Sequence, residues 1–226
     1  MRQTIIVPAL ALAFICILPT PASAQDYASW IRYSDSSDNP LIVEMIREAD
    51  LSAALEIVTA IGLREDAQIR EIILAVGERT DSRPLWEREL ILRVLLASVF
   101  PASLAGPELE ARLQMNREGL DFLVAGLPAF TLSLKREVVR LLGFLHPPEY
   151  LGALMAEGRR LADLLTLQRG DLNGEQAGLA LMYLETVDRI ANPEFADIVL
   201  LILERSRHLE VAEAARSVSR SLLLVE

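Results

Sequence analysis

The sequence predicts an all-α fold of about five antiparallel helix pairs, and three observations predict it. Apolar residues make up 52% of the 226, yet aromatic residues make up only 5%. The apolar content is mostly Leu, Ala, Ile and Val, which favours helices packed on helices over a sheet sandwich. From Leu41 onward, apolar patterns of helical period, each roughly 9–20 residues long, alternate with short breaks, and strand-like alternation is essentially absent. Connections this short force consecutive helices to run antiparallel.

The chain opens with Met1 and Arg2, an apolar run from Ile5 to Leu18, Pro19 and Pro21, and then Ala22-Ser23-Ala24. A positive start, an apolar core and small residues at −3 and −1 form a secretory signal peptide over residues 1–24, with cleavage expected between Ala24 and Gln25. Pro8 interrupts the apolar run, which falls short of the roughly 20 residues that span a bilayer. Cys16 is the only cysteine, and the bulky Phe14 and Ile15 before it do not form a lipidation site. After cleavage no cysteine remains, so stability must come from packing. The mature protein is expected to be periplasmic or secreted, with no stable membrane insertion, because Arg93 breaks its most apolar stretch, Leu90 to Ala105.

Residues 25–40 include Asp35-Ser36-Ser37-Asp38-Asn39 and read as a flexible leader, which leaves 41–226 as the helical-repeat domain. Breaks in that domain fall at Gly62, Asp81 to Pro84, Pro101 to Pro107, Pro128 to Ser133, His146 to Pro148, Arg169 to Gly174 and Asn192-Pro193. Several place Pro at a first helical turn, where its missing N–H costs nothing. Asn192 is expected to cap the next helix.

Every second helix carries a shared pattern. Leu134-Lys135 is followed by Val138-Val139, Leu141-Leu142-Gly143 and Leu145; Arg88 is followed by Ile91-Leu92 and Val94-Leu95. Ala177, Ala180-Leu181 and Leu184 form a further copy, as do Val211, Ala215, Val218 and Leu222. The pattern resembles the second helix of HEAT repeats, and its spacing falls near their period of about 40–47 residues. The resemblance implies a right-handed α-solenoid in which each second helix is buried against its own partner and the next pair. A compact, non-repeating helical bundle is the alternative fold for the same composition.

The net charge is −10, which argues against nucleic acid as a partner, since phosphate binding needs a basic surface. His146 and His208 are the only histidines and share no metal-binding spacing, so no metal or other cofactor is expected. Each reads as a helix-end residue. Carboxylates are so plentiful that chance pairs are inevitable; Glu210 and Glu213 could face together, but Arg216 after them suggests a surface ion pair, and neither serine-nucleophile motifs nor phosphate-cradling glycine loops occur. Arg169-Gly170-Asp171 matches an adhesive tripeptide, with a turn or capping role as the alternative. Arg136 and Arg140, and Arg216 and Arg220, stand four apart on second helices and form basic strips that could receive carboxylates of a partner or form local ion pairs. The sequence therefore points to a non-enzymatic extracytoplasmic scaffold that binds a protein or peptide on the concave face of its stack. A small-molecule or lipid carrier with an apolar cavity between helices is the alternative.

Overall fold

The computed structural model describes residues 24–64, 66, 68–77, 83–145 and 148–223, and side chains from residue 28 onward. The proposed signal segment up to Ser23 lies outside the described residues, and Ala24 and Gln25 open the first helix. The described residues form twelve α-helices: α1 (Ala24–Tyr33), α2 (Asn39–Glu48), α3 (Leu51–Ile61), α4 (Arg70–Gly77), α5 (Leu85–Val99), α6 (Gly106–Met115), α7 (Arg117–Gly126), α8 (Leu132–Leu145), α9 (Pro148–Leu167), α10 (Gly174–Ile190), α11 (Ala196–Arg205) and α12 (Leu209–Leu223). Short 3-10 turns stand at Ser36–Asp38, Leu127–Ala129 and Pro193–Phe195, and no strand occurs among the described residues.

Helix ends fall where backbone chemistry places them. Pro40 and Pro107 lie in the first turns of α2 and α6, and Asn173 opens α10 with a reciprocal capping box to Gln176. Asn192 accepts from the Glu194 N–H at 2.9 Å and so caps the turn before α11, as its position beside Pro193 predicts. Three breaks lack the Pro or Gly that marks the others, those before α3, α7 and α12. Asp50 starts α3 by accepting from the Ala53 N–H at 2.8 Å. Asn116, fully buried, separates α6 from α7 while accepting from the Ile69 N–H at 2.7 Å.

Residues 25–40 are not a flexible leader. Ile31 on α1 is fully buried and α1 packs on α3. The polar run after it is held by its own hydrogen bonds: Asp35 accepts from Ser37 N–H at 2.8 Å, and Asp38 accepts from Asp35 N–H at 3.2 Å. Asn39 is buried, donating to the Gln68 carbonyl and accepting from Arg64. A spaced apolar pair, Ala28 and Ile31, suffices to dock a short helix once a complementary surface exists.

Helix contacts join elements close in chain order. α1 packs on α3, α3 on α5, α5 on α8, α8 on α10 and α10 on α12; α2 packs on α4, α4 on α7, and α9 on α11. Between α7 and α9, Arg117 pairs with Glu149 and the Tyr150 hydroxyl donates to Asp121. Burial of Tyr150, together with the hydrogen bond and charge of Asp121, pushes its pKa up to about 12. α8 is the most enclosed element, with Arg136 its only exposed residue. Its approach to α10 is close because Gly143 sits opposite Thr186, whose hydroxyl donates to the Val139 carbonyl at 3.2 Å.

Two glycines of α9 offer a test of this packing. A methyl group at Gly158 would run into the Tyr183 ring and lie 2.7 Å from Ile198 Cγ2, whereas one at Gly152 would meet nothing within 4 Å. Gly158→Ala is expected to cost about 1–3 kcal/mol of overpacking, and Gly152→Ala to add roughly 0.5–1 kcal/mol of helix propensity. Urea unfolding of both variants checks this, and equal effects would contradict the assigned packing.

Candidate functional site

The row α5–α8–α10–α12 carries all four of the basic residues singled out from sequence, and they differ in what they do. Arg140 is committed to the fold. Its Nη2 donates to the Phe100 carbonyl at 2.6 Å, closing the end of α5, and its Nε donates to Glu137 at 3.0 Å. Arg136, Arg216 and Arg220 are exposed and form no ion pair among the described residues. Arg136 lies against α10 beside Gly178, where a methyl group would stand 3.4 Å from its Nη1. The strip four residues apart on α8 is thus one exposed cation and one helix-capping cation.

The same row forms a depression of 290 Å³, lined by Trp86, Glu89, Leu90 and Arg93 of α5, Thr131, Leu132 and Ser133 at the start of α8, and Glu175 in the first turn of α10. Residues 86, 89, 90 and 93 follow helical spacing and share one face of α5. Trp86 is 56% exposed, whereas Glu89 is 3% exposed. Glu89 Oε2 accepts from the Thr131 N–H at 2.9 Å, but its Oε1 is buried with no hydrogen-bond partner. Neither residue stands out in the sequence, because a lone Trp and one more glutamate in an acidic chain carry no motif.

A second, larger cleft of 530 Å³ lies between the Ser36–Asp38 turn, the start of α4 and the α6–α7 corner. Its lining is largely polar, and three of its four charged residues are paired: Arg70 with Glu118 at 2.5 Å, and Arg117 with Glu149. Behind it, Arg64 is fully buried, donating to Asn39 at 2.8 Å and facing Asp66 at 3.6 Å. Burial holds its pKa below the usual value, opposed by the charges of Asp66, Asp38 and Asp35. Asp66 in turn accepts from Ser36 N–H at 2.7 Å, so this network fastens the N-terminal segment to the α3–α4 connection.

The remaining buried charges also serve cohesion. Lys135 of α8 lies 3.2 Å from Glu157 of α9, whose other oxygen takes Arg160 at 2.6 Å. Nearby, burial and the Glu157 charge raise the pKa of the Tyr183 hydroxyl, which has no hydrogen-bond partner. His146 lies outside the described residues. His208 stands between α11 and α12, with its carbonyl accepting from Ala212 N–H at 3.0 Å, and so occupies a helix start. Arg169-Gly170-Asp171 closes α9: Gly170 is buried, donates to the Leu165 carbonyl at 2.7 Å and accepts from Arg207 N–H at 2.8 Å. That geometry favours the turn role. Among the described residues no three His, Cys, Asp or Glu side chains cluster so as to hold a metal ion, and no helix is long and apolar enough to cross a membrane.

No family model matches the chain, and neither a curated protein nor a solved structure matches it.

The two arginines of α8 should separate cleanly. Arg140→Ala leaves the Phe100 carbonyl without its charged donor and is expected to cost about 1.5–3 kcal/mol. Arg136→Ala is expected to stay within roughly 0.5 kcal/mol. Denaturant midpoints of the two variants at unchanged m-value check this; equal midpoints would remove Arg140 from its capping role.

Proposed function

We propose that the chain is an exported, non-enzymatic scaffold: an α-solenoid of five helix pairs that holds a segment of another protein along its second-helix row. The observation that carries this reading is spatial. The four helices that share the recurring pattern, α5, α8, α10 and α12, are successive neighbours in one row. A repeat whose second helix is buried on two sides accounts for that arrangement. The pairs are α2–α3, α4–α5, α6/α7–α8, α9–α10 and α11–α12, with α1 added in front of the row against α3.

The row supports binding because an open depression on it combines aromatic, cationic and acidic side chains. The 530 Å³ cleft is lined largely by polar groups and the 290 Å³ depression by polar and apolar groups together, which suits a peptide segment better than the wholly apolar cargo of a carrier. The signal-like start of the chain, with its expected cut between Ala24 and Gln25, supports action outside the cytoplasm.

Photo-crosslinking tests the scaffold directly. A photoreactive residue at position 136 or 216, exposed on the row, is expected to trap a discrete protein in the producing cell, and one at position 159 or 204, exposed on α9 and α11, is not. Equal trapping from both sets, or no discrete adduct from the row, would contradict the proposal.

A further inference from the structure

The depression on α5, α8 and α10 has a chemistry that selects its occupant. We propose that it receives a cationic side chain, an arginine above a lysine, from the segment that the scaffold holds; this rests on the scaffold reading and specifies the partner's chemistry.

Glu89 is the reason. It lines the depression while being almost fully buried, and only Oε2 has a hydrogen-bond donor, the Thr131 N–H. A buried carboxylate oxygen without a donor is costly, and a charged N–H donor offsets that cost most strongly. Glu175 adds a second carboxylate at the rim, against the single guanidinium of Arg93. The local balance therefore favours an incoming positive charge, as does the net charge of −10 for the whole chain. Trp86 supplies the wall. Its half-exposed indole stands one helical turn from Glu89 and offers a cation an aromatic face. A planar guanidinium can donate to a carboxylate while lying flat on an indole, which an ammonium cannot do equally well. The 530 Å³ cleft is larger, but its ion pairs are already closed and none of its lining atoms is an orphaned buried one.

The chain holds two tryptophans, Trp30 and Trp86, so its indole N–H resonances report the depression without full assignment once Trp30→Phe identifies them. The full exported chain is titrated with N-acetyl-arginine amide, and separately with N-acetyl-norleucine amide of similar length and no charge. The arginine probe is expected to shift the Trp86 resonance saturably and leave Trp30 unmoved, while the norleucine probe shifts neither. Glu89→Gln keeps an acceptor for Thr131 and is expected to weaken the arginine probe roughly tenfold. Equal shifts from both probes, no shift from arginine, or undiminished binding to Glu89→Gln would overturn the proposal. The comparison of probes on the unaltered chain stands even if Glu89→Gln does not fold. If the arginine probe fails while crosslinks still come from positions 136 and 216, the cationic specificity is lost and the scaffold remains.

Discussion

Short helices create many ends, and every C-terminal end leaves carbonyls without an intrahelical donor. In this chain several of those carbonyls are met by arginines from elsewhere in the sequence. Arg83 donates to the carbonyls of Ile46 and Ala49 at the end of α2, and Arg112 donates to Val99 at 2.9 Å. Arg140 donates to Phe100. The positive charge also suits the negative end of the helix dipole. Because each of these arginines sits on or beside a different helix, closing an end also ties one helix to another. The basic residue of the recurring pattern obeys the same logic at Arg88, which approaches the Gly77 carbonyl at the end of α4, whereas Lys135 pairs with the Glu157 carboxylate within α9.

Much of this architecture was legible because it is written in punctuation and periodicity. Proline and glycine mark the ends of α3, α5, α8, α9 and α10, and the apolar spacing marks the helices between them. The failures have physical causes. Asp50 starts α3 through a side-chain oxygen, and Asn116 separates α6 from α7 while its own oxygen serves the Ile69 N–H; such residues are common enough elsewhere to hide the signal. The segment 25–40 looks loose because it is polar, but its polarity is consumed locally by Asp35, Asp38 and Asn39. Which arginines cap helices and which face solvent was not legible at all. Arg136 and Arg140 are equivalent in sequence and opposite in role, because the choice depends on which distant carbonyl lies within reach.

The candidate site shows the same division. Spacing along α8 and α12 directed attention to the second-helix row, and the structure puts the most informative depression on that row. Its determinants are Trp86 and Glu89, and they matter for reasons that only three dimensions supply: one is exposed where most large apolar side chains are buried, and the other is buried where most glutamates are exposed. Neither property can be read from residue identity.

The central claim is that the helix pairs form a linear stack and not a closed bundle. Double electron–electron resonance between spin labels at position 52 on α3 and position 217 on α12, both exposed, tests it most directly. Four steps along the row α3–α5–α8–α10–α12, at the roughly 8–10 Å spacing of packed helices, predict a separation of about 32–40 Å. A separation under about 20 Å, as in a bundle whose first and last helices close on each other, would contradict the stack.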